Sequence, residues 1–150
     1  MKPLFVLTIT FTLSLVFTKI TTSHFDFPFA GRLALSIMLV FTSIGHFKFT
    51  DGMMKMLPEF MPAKKMIVYL TGFLEIVAAV GIFIPSLRYA TGILLILFFV
   101  LILPSNIYAA KRKLNYETGE YNGKGISYLW FRIPFQILLI FWTYCFVVKL

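Results

Sequence analysis

YATGILLILFFVLILPSNIYAA, residues 89–110, runs for 22 positions without a charged side chain. At 1.5 Å per residue a helix of that length covers about 33 Å, which exceeds the roughly 30 Å of hydrocarbon in a bilayer. Outer-membrane strands alternate apolar and polar positions over about ten residues, whereas this run is continuously apolar, so a strand reading fails. Working outward, four further apolar runs occupy residues 3–20, 29–47, 66–84 and 128–148. The first is bracketed by Lys2 and Lys19, and the second contains Arg32, whose long stem allows it to snorkel. The expectation is an all-α transmembrane protein with five spans.

The composition points the same way. Of 150 residues, 59% are hydrophobic and only 13% charged, against about 25% charged in a typical soluble domain. With 18 phenylalanines, a water-soluble globule of this size would have to expose most of its apolar side chains. The net charge of +8 does not signal nucleic-acid binding, because the 14 lysines and arginines stand between apolar runs instead of forming a patch. A single cysteine, Cys145, excludes an internal disulfide, a dithiol relay and an all-cysteine metal site. Redox chemistry would have to use a bound cofactor or partner.

Alternating sides at each span sorts the cations unequally. One face receives ten, at positions 2, 48, 55, 64, 65, 111, 112, 113, 124 and 132, and the other receives four, Lys19, Arg32, Arg88 and Lys149. The richer face is expected to be cytoplasmic, which puts the N-terminus inside and the C-terminus outside. Lys2 with a short apolar region also fits a signal peptide, but only Thr21 and Ser23 approximate a small-residue cleavage pattern, so an uncleaved signal anchor is expected. The chain then divides into an N-terminal helix with its outer linker, residues 1–28, and a four-helix membrane domain, residues 29–150.

Two loops lie on the cation-rich side. Residues 50–62 place Met53, Met56, Leu57 and Phe60 on one helical face and read as an interfacial helix, with Asp51 as its N-cap and Pro58 and Pro62 ending it. Residues 111–127 suit a hairpin or coil against lipid headgroups; Gly123-Lys124-Gly125 lacks the strand and spacing of a Walker motif. Trp130 and Tyr108 on one side, with Trp142, Tyr144 and Tyr89 on the other, read as interfacial belts.

The informative residues are the few polar ones inside the spans. Helices of alternating direction bring His46, Asn106, Arg132 and Gln136 to similar depth on the cytoplasmic side, with Glu75 somewhat deeper. Around Glu75, Thr71, Gly72, Ala78 and Ala79 make a small-residue face suited to close packing. Pro104 leaves the carbonyl of Val100 without its helical donor. Charges at this depth cost about 2.5–3.5 kcal/mol each, so they are expected to turn inward and pair, Glu75 with Arg132 most directly. The same five residues could serve as structural glue between helices. No metal site is expected, because one histidine and one carboxylate within reach, with His24 on the opposite face, fall short of three protein ligands.

These residues together resemble the DoxX-like family of small bacterial membrane proteins. The match rests on Gly45-His46-Phe47, Leu57-Pro58-Glu59-Phe60-Met61-Pro62, Gly72-Phe73-Leu74-Glu75, Pro104-Ser105-Asn106-Ile107 and Arg132-Ile133-Pro134-Phe135-Gln136, in that order, over residues 31–148. Ser105 stands where the family commonly has alanine. The resemblance implies a four-helix bundle in the bacterial cytoplasmic membrane, here preceded by one additional helix. It also implies a link to membrane oxidoreductase systems, some of them quinone-dependent; the thiol-redox branch does not transfer to a chain with one cysteine.

The expected function is therefore a component of a membrane redox system, not an enzyme on its own, holding a quinone or other lipophile by His46, Glu75, Asn106, Arg132 and Gln136. Its expected partners are the bilayer and a membrane or soluble oxidoreductase, with no nucleic acid. The rival expectation is a small-molecule transport or scaffold protein whose polar cluster only locks the bundle.

Overall fold

The computed structural model describes residues 2–149. Among the described residues, five long helices and one short one make up the fold: α1 Lys2–Thr22, α2 Phe27–Lys48, α3 Thr50–Met54, α4 Lys64–Gly81, α5 Pro85–Lys111 and α6 Leu129–Thr143. A 3-10 turn, Gly125–Tyr128, leads into α6, and a π-helical turn, Tyr144–Val148, continues it. No β-strand occurs among the described residues, only an isolated bridge between Asn115 and Glu120.

Local chemistry sets the helix starts. The Asp26 carboxylate accepts the Phe29 N–H at 2.9 Å and Pro28 occupies the first turn of α2, where no intrahelical donor is needed. Pro85 opens α5 in the same way, after an extended Ile84. That turn corrects one expected boundary. The third apolar run was expected to continue to residue 84, but the helix closes at Gly81, where the N–H groups of Phe83 and Ile84 turn back to Val80 and Gly81.

The outer surface is apolar, unlike that of a water-soluble protein. Leu94, Leu101 and Phe73 are 63%, 64% and 58% exposed, while Ser14, Thr18, Ser43, Glu75, Gln136 and Thr143 are buried. The hydroxyls among them are satisfied within their own helices: Ser14 donates to Thr10, Ser43 to Val40 and Thr143 to Leu139, at 2.7–2.8 Å. Such an outer surface fits hydrocarbon and not water. Among the described residues, four segments, α1, α2, α5 and Gly125–Val148, are long and apolar enough to cross a membrane. The chain is compatible with a multi-pass membrane protein.

Long helices that follow one another in the chain pack antiparallel. α2 lies between α1 and α4. The Ser36 hydroxyl donates to the Ala79 carbonyl at one end of the α2–α4 seam, and His46 meets the Val68 carbonyl at the other. α6 runs back along α5, with Gln136 donating to the Phe99 carbonyl and Gly92 against Val147 and Val148. The apolar core draws on all five long helices, including Leu7, Leu35, Met38, Ala79, Phe99 and Leu139. Trp142 departs from the expected interfacial belt: its indole N–H donates to the Gly31 carbonyl at 3.0 Å, and its ring packs edge-on against Phe11. It joins α1, α2 and α6 inside the bundle.

The loops at the Lys2 end also differ from expectation. The interfacial helix over residues 50–62 is only the five residues of α3, begun at Phe49 without a side-chain cap; Asp51 sits in its first turn and is not the N-cap. Phe60 is 84% exposed, so the expected apolar face does not persist past the turn at residues 55–57. The loops dock on each other and on the start of α1. Lys55 Nζ donates to the Gly119 carbonyl at 2.7 Å, Arg112 approaches Glu59 at 3.4 Å, and Lys2 bonds Glu117 at 2.8 Å.

Candidate functional site: a polar cluster inside the bundle

α4 is the backbone of the site. Its buried positions, Val68, Gly72, Glu75 and Ala79, recur at three- and four-residue spacing and line one stripe toward α2. Gly72 permits a close approach of α2. A Cβ there would stand 2.7 Å from the Cβ of His46, so the glycine lets the histidine lie flat against α4.

The contacts of His46 fix its tautomer. Nδ1 lies 3.2 Å from the Val68 carbonyl oxygen, which can only accept, so Nδ1 carries the proton. The Thr71 hydroxyl, 3.0 Å from the same nitrogen, donates to the Ile67 and Val68 carbonyls and offers its lone pair to that N–H. The other nitrogen, Nε2, therefore points at Glu75, 3.6 Å from Oε2. Thr42 lies beside the same carboxyl.

Arg132 comes from α6, close enough for its charge to act on Glu75, His46 and, in the docked loop, Tyr116. It forms no ion pair with Glu75 among the described residues. The expected Glu75–Arg132 pair is replaced by His46–Glu75, because Gly72 brings α2 closer to the carboxyl than α6 comes. Gln136, one turn beyond Arg132, is almost fully buried and donates its amide N–H to the Phe99 carbonyl, next to the Val100 carbonyl that Pro104 leaves without a helical donor. A carbonyl accepts only, so the Gln136 side-chain oxygen points the other way.

Three buried polar atoms have no hydrogen-bond partner among the described residues: Glu75 Oε2, Arg132 Nε and Gln136 Oε1. All three belong to residues singled out in the sequence. Asn106 behaves differently, since its amide donates to Ile102 in its own helix at 3.1 Å and it makes no bond to the other four. His46, Glu75 and Arg132 thus converge, Gln136 lies one turn away, and Asn106 stands apart. Thr71, the histidine's partner, was legible only as one of the small residues around Glu75. The Val68 carbonyl and Tyr116 carry no signal in the sequence, because the first is backbone and the second reaches the site through loop docking.

Two open clefts lie outside the bundle, both at the loop end. One, of about 480 Å³, is lined by Lys55, Lys64, Arg112 and Tyr121 among others, and the second, of about 410 Å³, by Lys48, Lys65, Tyr69 and Glu117. Neither touches the polar cluster.

No curated protein and no solved structure matches the chain. The family model that does match, DUF8561, a domain of unknown function, covers residues 35–147 and so spans every residue of the cluster from His46 to Gln136; the chain belongs to that family.

Proposed function

We propose that the protein holds the polar head of a lipophile inside its helix bundle, with His46, Glu75, Arg132 and Gln136 around the head and apolar helix walls around the tail. The observation that carries this reading is the trio of unpartnered buried atoms on Glu75, Arg132 and Gln136. A buried polar group without a partner costs about 1–3 kcal/mol, whereas most polar groups in this bundle are satisfied. Two of them, Arg132 Nε and Gln136 Oε1, lie one turn apart on α6 and fit a ligand head or ordered water better than a purely structural lock.

The membrane setting in this proposal is a bacterial cytoplasmic membrane crossed five times, with the cation-rich N-terminal side inside and the C-terminus outside. α4 carries three charged side chains, Lys64, Lys65 and Glu75, more than any of the other four long helices. Its crossing is supported by loop docking. Lys55 touches Gly119, so the chain between them starts and finishes at one end of the bundle. α5 lies in that stretch and crosses; the return crossing falls to α4.

The resemblance to the DoxX-like family supports a place beside a membrane oxidoreductase and suggests a quinone as the lipophile. The side chains fit such a head in part: a quinone oxygen accepts from Arg132 Nε but offers nothing to Gln136 Oε1. When bound, a quinone would supply two-electron redox chemistry; the residues here would orient its head and exclude water. The second reading, a transport or scaffold protein with a structural cluster, is favoured by Asn106 alone, whose bond to Ile102 is internal to α5.

The experiment is a mass spectrum of protein released from native lipid, with extraction of the same sample. About one tightly held lipophile per chain, reduced in Arg132→Leu at equal folded yield, is the expected result. Loosely associated bulk lipid in both samples would refute the proposal.

A further inference from the structure

We infer that the head group held at this site bears a hydroxyl, as in a quinol, a phenol, an alcohol or a protonated acid, and that an oxidised quinone or another head with acceptors only is a poor fit. The inference rests on the lipophile-binding reading and names its ligand class.

Arg132 and Gln136 stand four residues apart on α6, so their side chains rise from one face, about 6 Å apart at the Cβ atoms. Their unpartnered atoms have opposite character. Arg132 Nε is a donor, because a guanidinium has no acceptor. Gln136 Oε1 is an acceptor, and the amide cannot be flipped, since Nε2 is the only end of it that can bond the Phe99 carbonyl. One group that accepts from the first and donates to the second is a hydroxyl. A ketone, an ether or an ionised carboxylate satisfies Arg132 and leaves Gln136 Oε1 buried against a lone pair.

Glu75 does not supply the missing donor to Gln136. Its unpartnered Oε2 faces His46 Nε2, and with Nδ1 committed to Val68 one proton between Nε2 and Oε2 relieves the opposition of lone pairs. The charged group facing this proton is Arg132 from α6, with Thr42 beside the carboxylate on α2. The hydroxyl requirement therefore falls on the ligand.

The test compares para-octylphenol with its methyl ether, which differ only in the donor. Saturable binding to wild-type protein is measured by equilibrium dialysis against detergent-only blanks. The phenol is expected to bind about ten-fold more tightly than the ether, the order expected when a buried acceptor is left unmatched. In Gln136→Leu the preference should collapse toward unity through loss of phenol affinity. Equal affinities in the wild type would overturn the hydroxyl inference while leaving the lipophile site standing. Saturable binding of neither probe would overturn both. A preference unchanged in Gln136→Leu would remove Gln136 from the site; because the wild-type comparison needs no variant, poor folding of Gln136→Leu leaves the test intact.

Discussion

His46 Nε2 and Glu75 Oε2 face each other at 3.6 Å across the α2–α4 seam, with the opposite ring nitrogen of the histidine committed to the Val68 carbonyl. The geometry couples an acid and a base inside a helix seam that Gly72 draws tight.

Coupling of this pair is measurable. His46→Leu and Glu75→Leu are each expected to lower stability in detergent by about 1–3 kcal/mol, because each leaves the other side chain facing a group that neither donates nor accepts. The double variant is expected to recover at least about 0.5 kcal/mol of the summed loss. A parallel cycle of Glu75→Gln with Arg132→Gln should show less coupling, since those side chains are not bonded. Strict additivity for His46 and Glu75 would contradict the pairing.

Gly72→Ala sets two effects against each other. Alanine gains about 0.5–1 kcal/mol of helix preference over glycine, but its Cβ would stand 2.7 Å from His46 Cβ, an atom tied to the α2 backbone. Overpacking of that kind costs about 1–3 kcal/mol, so a net loss is expected. A thermal melt in mild detergent checks it, and a melting temperature raised by the substitution would show that the seam is looser than described.

These residues also show what was legible in the sequence. Continuous apolar runs located the long helices within a few residues, because burial in lipid demands length and hydrophobicity together. Polar residues at shared depth picked out His46, Glu75, Arg132 and Gln136, since alternating helix directions convert sequence position into depth. The partner of Glu75 was not legible. Opposite formal charge favoured Arg132, whereas the contact follows from how closely Gly72 lets α2 approach. Asn106 shares the depth but bonds its own helix, a choice of rotamer that spacing does not fix. The docking of α3 against residues 112–124 depends on Gly52, where a Cβ would meet the Tyr116 carbonyl oxygen at 1.9 Å, and no local pattern announces a close approach between segments so far apart.

Tyr116 reports on that docking. Its phenol is raised above its ordinary 10.0, first by burial and then by the neighbouring Tyr128 and Glu117. A group whose proton is held more tightly in the docked state contributes stability that is intact below its ordinary value and is lost as pH rises through the higher one. The wild-type minus Tyr116→Phe absorbance difference should therefore show tyrosinate appearing above pH 10, with protease cleavage of residues 112–124 increasing over the same range. Ionisation at or below the ordinary value would contradict the buried placement.

The five-span arrangement predicts that Lys55→Cys and Thr118→Cys, each in a Cys145→Ser background, react with a membrane-impermeant thiol reagent from the same side. Four spans without α4 would put them on opposite sides, because only α5 would then separate them.

Photochemical cross-linking with a diazirine-bearing octylphenol tests the central claim most directly, since it locates the lipophile by residue. Adducts mapped by peptide mass should concentrate on inward positions of α4, α5 and α6 around Glu75, Phe99 and Gln136, and excess unlabelled phenol should suppress them. Adducts confined to outward-facing residues such as Phe73, Leu94 and Leu101, insensitive to competitor, would contradict a site inside the bundle.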